Sequence, residues 1–134
     1  MKEFFGTAHT GEETYLYTIS CDAITAVVSD YGATLVKLFV PDRDGKTADV
    51  VLGHDSPADY RSRAVFLGAT VGRSGNRIAG SSFELSGKTW NLTPNENGNN
   101  LHSGPDFYHD RVWKVLSHTE TAITDALNEC SHRS

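Results

Sequence analysis

The chain has 134 residues, of which 38% are hydrophobic and 22% charged, and its net charge is −5 with histidine neutral. This length suits one domain or part of a larger one, and the composition excludes a disordered chain. The negative charge disfavours nucleic acid and anionic membrane as partners, because both are bound by basic surfaces. No apolar run approaches the roughly 20 residues that cross a bilayer, and the first residues lack the apolar core of a signal peptide. We therefore expect a cytoplasmic protein.

The first third of the chain has the two-residue period of β-strands. Apolar and polar residues alternate over 15–21, which predicts a strand with one apolar face, and the β-branched stretch Ile24–Ser29 predicts a second. A third strand is expected over 35–40. Segment 41–46 contains Pro and Gly and is typical of a turn, after which 48–52 runs back to complete a hairpin.

The remaining regular elements are also short. Residues 56–60 begin with Ser-Pro and carry a carboxylate in the first turn, which predicts a short helix. Segments 82–86 and 89–92 flank a Gly-Lys turn and predict a second hairpin, and 112–116 predicts the last strand. Many short antiparallel strands separated by turn residues indicate an all-β fold, an antiparallel β-sandwich.

The cysteines and most histidines show no pattern of metal ligands. Cys21 and Cys130 are far apart and lack CxxC or Cys/His spacing, and a disulfide is disfavoured in a reducing cytosol. We expect Cys21 to be a small buried residue at a strand end. His54 and His109 lie in loops with no recognisable spacing, so no metal site is predicted.

Two glycine-rich stretches, 68–80 and 93–104, do not fit strands and are the candidates for a site. In the first, Arg77 offers a planar fork of donors and Asn76 both donors and an acceptor, a combination suited to sugar hydroxyls. The alternative is a turn whose arginine pairs with a nearby carboxylate. A dinucleotide loop is disfavoured, because no βαβ unit surrounds the glycines. In the second stretch, His102 carries an imidazole that can donate or accept a proton, although a single loop histidine is more often structural or solvated.

Several motifs, taken together and in order, resemble the aldose 1-epimerase (galactose mutarotase) family. They are Tyr-Gly-Ala-Thr-Leu at 31–35, Gly-Ala-Thr-Val-Gly-Arg at 68–73, Gly-Asn-Arg-Ile at 75–78, Asn-Leu-His-Ser-Gly at 100–104 and Arg-Val-Trp at 111–113. Each motif alone is weak, whereas their order and spacing are specific.

The resemblance implies a fold, an activity and site residues. The family fold is a large antiparallel β-sandwich of the supersandwich type, and its members interconvert the α and β anomers of free hexoses such as galactose and glucose without a cofactor. Asn76 and Arg77 are then expected to contact sugar hydroxyls, and His102 to lie near the reacting end of the sugar ring as a catalytic and binding residue. Position 103 is Ser where the family usually has Gly, which puts the loop dihedral there in question.

The resemblance also implies that part of the family's machinery is missing. The family's Glu base and second His acid lie well downstream of the loop that contains His102, and this sequence shows neither. We therefore expect 1–123 to be the N-terminal part of a galactose mutarotase-like β-sandwich with impaired or absent activity. Residues 124–134 lose strand alternation and form an anomalous tail. One hypothesis is that this tail is disordered, and another is that it comes from a truncated or frameshifted coding sequence.

An incomplete sandwich leaves an apolar face and strand edges uncovered, and a homodimer would bury them. Two rival functions stay open beside the isomerase. One is a non-catalytic carbohydrate-binding β-module that retains Asn76, Arg77 and His102, and the other is a structural β-domain without affinity for sugar.

Overall fold

The computed structural model describes residues 1–62 and 65–127. Cys130 and most of the predicted tail lie outside these residues. Within the described residues the chain forms one α-helix, α1 (Pro57–Ser62), and eleven strands. The strands are β1 (Lys2–Thr7), β2 (Glu13–Cys21), β3 (Ile24–Ser29), β4 (Thr34–Pro41), β5 (Thr47–Asp49), β6 (Arg77–Ile78), β7 (Ser82–Leu85), β8 (Lys88–Asn91), β9 (Asn100–Leu101), β10 (Lys114–His118) and β11 (Ile123–Ala126).

The first five strands form one antiparallel sheet in the order β1-β2-β3-β4-β5. Each strand pairs with its neighbour in sequence, because the connections are tight turns. Asp22 takes a left-handed conformation between β2 and β3, and Gly45 has a φ of 81° between β4 and β5. The carboxylate of Asp42 accepts the backbone N–H groups of Asp44 and Lys46 at 2.8 and 2.9 Å, which fixes the second of these turns.

Helix α1 packs beside β1 and is capped by its own sequence. The hydroxyl of Ser56 accepts the backbone N–H of Asp59 at 3.2 Å and donates to the Asp59 carboxylate at 2.7 Å. Pro57 occupies the first helical position, where a missing N–H leaves no bond unmade. The rings of Phe5 and Tyr60 lie 6.2 Å apart, so the helix covers one end of the sheet.

Strands β10 and β11 form a separate antiparallel pair that packs beside β2. Nε2 of His118 lies 3.0 Å from the carbonyl oxygen of Thr18, and its ring meets Tyr17 edge-on at 5.2 Å. The backbone N–H of Ser20 donates to the carbonyl of Glu120 at 2.7 Å. The pair is therefore anchored to the sheet by both backbone and aromatic contacts.

Tyr31 joins the first sheet to the segment that precedes β10. It is 1% exposed, forms an isolated bridge with Val112, and donates its hydroxyl to Asp110 at 3.3 Å. Burial, reinforced by the Asp110 carboxylate, raises the pKa of Tyr31 to about 12. The adjacent Gly32 donates its N–H to the carbonyl of Arg111 at 2.7 Å. Other buried apolar residues in the described part of the chain include Phe5, Ala8, Tyr17, Val27 and Val36.

The predicted all-β class and the strand Ile24–Ser29 are confirmed. The turn after β4 and the β7–β8 hairpin are also present, with ends that differ by one residue from the prediction: Pro41 ends β4, and Lys88 begins β8. Strands β1 and β11 were not predicted. In β1 a bulge between Phe4 and Gly6 breaks the two-residue period, and β11 has only four residues. Strand β11 crosses the boundary expected at residue 123. In the described parts of the chain, the helices are too short and too polar to traverse a bilayer.

Three details of the sequence analysis are wrong. Cys21 is exposed, because β2 runs past the region where other elements cover the sheet. The return strand expected over 48–52 is the shorter Thr47–Asp49. The last predicted strand begins at Lys114 rather than at residue 112, because the two preceding residues pair with the segment around Tyr31 instead.

Candidate functional site

The two glycine-rich loops meet each other directly. Strands β6 and β9, one from each loop, pair antiparallel with Arg77 opposite Leu101. This corrects the expectation that 68–80 and 93–104 contain no strand. Both strands are only two residues long, too short for a periodic pattern to reveal them, and together they bring the motif residues of the two loops side by side.

Asparagine side chains hold the second loop in place of a regular strand. The Asn95 side chain accepts the N–H of Leu101 at 2.6 Å and donates to the carbonyl of the same residue at 2.9 Å. Asn100, which is 2% exposed, donates to the carbonyls of Thr93 and Gly104 at 2.8 and 3.0 Å. These amides satisfy backbone groups that would otherwise lack partners, which is why the segment is rich in asparagine.

Asn76 and His102 are joined by two hydrogen bonds. The backbone N–H of His102 donates to the Asn76 carbonyl at 3.0 Å, and the backbone N–H of Asn76 donates to Nδ1 of His102 at 2.9 Å. Because Nδ1 accepts this bond, the neutral ring carries its proton on Nε2. His102 therefore presents an N–H donor through Nε2.

Ser103 closes a second link between the loops. Its hydroxyl accepts the backbone N–H of Ser74 at 2.8 Å and donates to the Ser74 carbonyl at 3.3 Å. Asn76, His102 and Ser103 all have positive φ, at 64°, 52° and 58°. Non-glycine residues persist in this conformation only where surrounding bonds hold them there, and such residues concentrate at functional sites.

An aromatic cluster lies behind His102. The Phe66 ring meets the rings of His102 and His109 edge-on at 4.8 and 4.9 Å, and Phe107 lies 5.7 Å from Phe66. Burial, assisted by the nearby His102, lowers the pKa of His109, whereas the Asp110 carboxylate opposes this shift. The Phe66 ring therefore packs against one side of the His102 ring.

Arg77 forms a bidentate ion pair with Glu96. Its Nε and Nη2 donate to the two carboxylate oxygens, each at 3.1 Å, and Nη1 donates to Oδ1 of Asn76 at 3.3 Å. The bond to Glu96 raises the pKa of Arg77 and, reciprocally, the pKa of Glu96 is lowered. The carboxylate partner that the sequence analysis left as an alternative is therefore present.

The structure thus brings the three predicted site residues into one contiguous group, in which Asn76 contacts both Arg77 and His102. Sequence reasoning missed Phe66 and Glu96. Phe66 lies in a loop without periodicity, and Glu96 is a single carboxylate among many, so neither carried a local signal.

The other charged residues near the loops have structural partners. Nε of Arg111 donates to the Asp106 carboxylate at 3.1 Å, and the same guanidinium lies 5.6 Å from the Tyr108 ring. Asp59 belongs to the helix cap and Asp110 accepts the hydroxyl of Tyr31. Among the described residues, no group of three or more His, Cys, Asp or Glu side chains is arranged to hold a metal ion.

Comparison with known proteins shows which family the chain resembles. The family model for aldose 1-epimerase matches residues 15–132. The chain is 41% identical over 118 residues to the probable aldose 1-epimerase of Arthroderma benhamiae, with 84% of this chain and 27% of that protein covered. It is 37% identical over 103 residues to the galactose mutarotase of Bos taurus, with 75% of this chain and 30% of that protein covered. The chain therefore spans less than a third of the length of these relatives.

A solved structure extends the similarity to the fold. The crystal structure of an aldose epimerase homologue from C. elegans superposes with a TM-score of 0.76 at 36% identity, over 84% of this chain and 35% of that one. This confirms the galactose mutarotase-like β fold that the motifs implied. Because the family model covers most of the chain and the fold agrees, the chain belongs to the aldose 1-epimerase family.

Proposed function

We propose that this chain carries part of the sugar site of an aldose 1-epimerase that interconverts the α and β anomers of free hexoses such as galactose and glucose. The observation that carries the proposal is the contiguous group of Asn76, Arg77 and His102, held by bonds between two loops. Its relatives include a galactose mutarotase, which supports galactose as a substrate. The reaction needs no cofactor.

The chemistry of anomer exchange assigns a role to each residue. A base removes the proton of the anomeric hydroxyl while an acid protonates the ring oxygen, so that the ring opens. The aldehyde then turns about its bond to the next carbon, and closure gives the other anomer. His102, with its proton on Nε2, can donate to a sugar oxygen and stabilise charge there. A positioned acid or base contributes on the order of 10²–10⁴-fold to the rate.

Arg77 suits a binding role because its guanidinium is already oriented. Contacts with described residues use three of its N–H groups, and a guanidinium has five donors. The others can donate to sugar hydroxyls while Glu96 holds the plane of the group. Asn76 orients Arg77 through its side chain and His102 through its backbone.

Polarimetry of freshly dissolved α-galactose tests the catalytic proposal. We expect any acceleration over buffer to be lost in His102→Ala and kept in His9→Ala, a matched change at an exposed histidine that belongs to neither loop. Equal acceleration by the two variants would contradict a catalytic role for His102.

A second function, a carbohydrate-binding β-module without catalysis, is favoured by one observation. The whole group of Asn76, Arg77 and His102 lies in a chain that spans 27% to 30% of its relatives. If the chain does not accelerate mutarotation yet binds galactose saturably in an NMR titration, this function replaces the first. If the chain neither accelerates mutarotation nor binds galactose, a structural β-domain is favoured.

We further propose that two copies of the chain associate and that the protein is cytoplasmic. Large apolar side chains are exposed by 50% to 76% on several strands and loops, and burying such surface favours association. These side chains include Phe4, Ile24, Leu52, Leu85 and Leu116. Light scattering should report a dimer, and a well-folded monomer in dilute solution would refute the proposed association.

Fractionation of the source cells tests the proposed cytoplasmic location.

A further inference from the structure

Three buried polar atoms belong to residues that line one small cavity together with Phe66. They are Nε2 of His54, in the loop before α1, the hydroxyl of Tyr60 on α1, and Nδ1 of His109, which lies just before β10. Neither ring nitrogen has a hydrogen-bond partner among the described residues, and the hydroxyl proton of Tyr60 has no acceptor there. The backbone N–H of His54 faces the Tyr60 oxygen and opposes the rise that burial causes in the pKa of Tyr60. Buried polar groups nearly always have partners, because an unsatisfied one costs roughly 1–3 kcal/mol.

The size and walls of the cavity restrict what can satisfy these atoms. Its volume is about 10 Å³, which is close to the lower limit for a single water molecule and too small for any organic ligand. Its other lining residues are Thr34, whose hydroxyl donates to the Tyr31 carbonyl at 2.8 Å, and the apolar Val65, Phe66, Leu67 and Ala69. The rings of His54 and Tyr60 meet edge-on with centroids 5.0 Å apart.

We propose that the cavity binds one internal water molecule that bridges His54, Tyr60 and His109. The water oxygen accepts the hydroxyl proton of Tyr60, and its two hydrogens are donated to Nε2 of His54 and Nδ1 of His109. Three hydrogen bonds are the usual number for a buried water. The water would add a hydrogen-bonded link between the α1 region, which contains His54 and Tyr60, and the segment that contains His109.

The site also defines the state of His109. If Nδ1 accepts a hydrogen bond from the water, the neutral ring carries its proton on Nε2, which lies 3.8 Å from the Asp110 carboxylate. The direction of the His109 pKa shift, downward through burial, agrees with a neutral ring. Because Phe66 contacts both His109 and His102, the water lies directly behind the ring that supports the proposed sugar site.

The sign of the stability change in Tyr60→Phe tests the proposal, since the substitution removes only the hydroxyl. If the hydroxyl donates to a bound water, the variant loses that bond, and we expect the unfolding equilibrium constant to rise about five-fold. A neutral or stabilising change would show that the hydroxyl proton has no acceptor to lose, and it would overturn the proposal. Tyr15→Phe is the control, because the Tyr15 hydroxyl bonds Glu13 at the exposed surface.

Diffraction from crystals of the full chain provides the second measurement. We expect a density peak within about 3 Å of all three polar atoms, with distances typical of hydrogen bonds. A peak at metal-ligand distance that disappears after chelation would assign the cavity to a divalent cation and overturn the water. An empty cavity, or one filled by a protein side chain, would also contradict it.

Discussion

At the scale of the residue, the proposed site depends on backbone conformations that a sequence does not reveal. The family motifs were sufficient to single out Asn76, Arg77 and His102. They did not indicate that Asn76 and His102 take positive φ, nor that Nδ1 of His102 accepts a backbone N–H. Those features arise from contacts between residues 26 positions apart, which only the folded chain brings together.

Ser103 offers a direct test of this strained geometry. Ser103→Ala removes both hydrogen bonds to Ser74 while leaving a Cβ at a φ of 58°, so we expect a loss of about 1 kcal/mol in the free energy of unfolding. Ser103→Gly removes the same bonds but relieves the left-handed strain, and should be more stable than the alanine variant by roughly 1 kcal/mol. Chemical denaturation of the two variants measures the difference, and the reverse order would contradict the conformation.

His109 should make stability depend on pH. Its pKa is lowered in the folded chain from an ordinary value of 6.5, so the unfolded state binds more protons between the two values. Stability therefore falls as the pH drops through 6.5 towards the folded pKa, and is fully present above 6.5. We expect the fall in melting temperature between pH 7.5 and pH 5 to be smaller in His109→Gln than in the parent chain. The exposed His9, changed to Gln, should leave that fall unaltered.

At the scale of the element, local patterns predicted most of the longer strands and failed where tertiary pairing decides the structure. Strand β3 follows from its β-branched residues, and α1 from its Ser-Pro start. The two-residue strands β6 and β9 exist only because each finds the other, and β1 carries a bulge that hides its period. Short pairings between distant loops leave no periodic signal, and these pairings build the proposed site.

Glycine positions between elements differ sharply in what they require. Gly68 and Gly80 have nearly equal φ values, 58° and 61°, but a Cβ at Gly68 would collide with the Leu35 carbonyl oxygen, whereas a Cβ at Gly80 meets open space. We expect Gly80→Ala to cost about 1–2 kcal/mol from backbone strain alone. Gly68→Ala should cost several kcal/mol, because the carbonyl belongs to β4 and cannot move aside.

Thermal denaturation of Gly68→Ala and Gly80→Ala, measured side by side, distinguishes the cost of backbone strain from the cost of a steric collision. A clearly lower melting temperature for Gly68→Ala is the expected result. Similar melting temperatures would mean that the loop after residue 67 does not pack against β4 as closely as described.

At the scale of the whole molecule, the sequence indicated the fold class and the family, whereas the distribution of exposed apolar surface required the structure. The five-stranded sheet and the β10–β11 pair bury a modest core around Tyr17, Tyr31 and Val36. Large apolar side chains elsewhere stay exposed. A two-residue period reports which face of a strand is apolar, but not whether another element covers that face, which is also why the exposure of Cys21 was unforeseen.

The central claim is that two loops converge so that Asn76, Arg77 and His102 contact one hexose. Titration of the isotope-labelled chain with galactose, followed by ¹H–¹⁵N NMR, tests it most directly. We expect saturable chemical-shift changes concentrated in the backbone amides of 74–78 and 100–104, and we expect these changes to disappear in Arg77→Ala. Shifts confined to another surface, or no shifts at any galactose concentration, would contradict it.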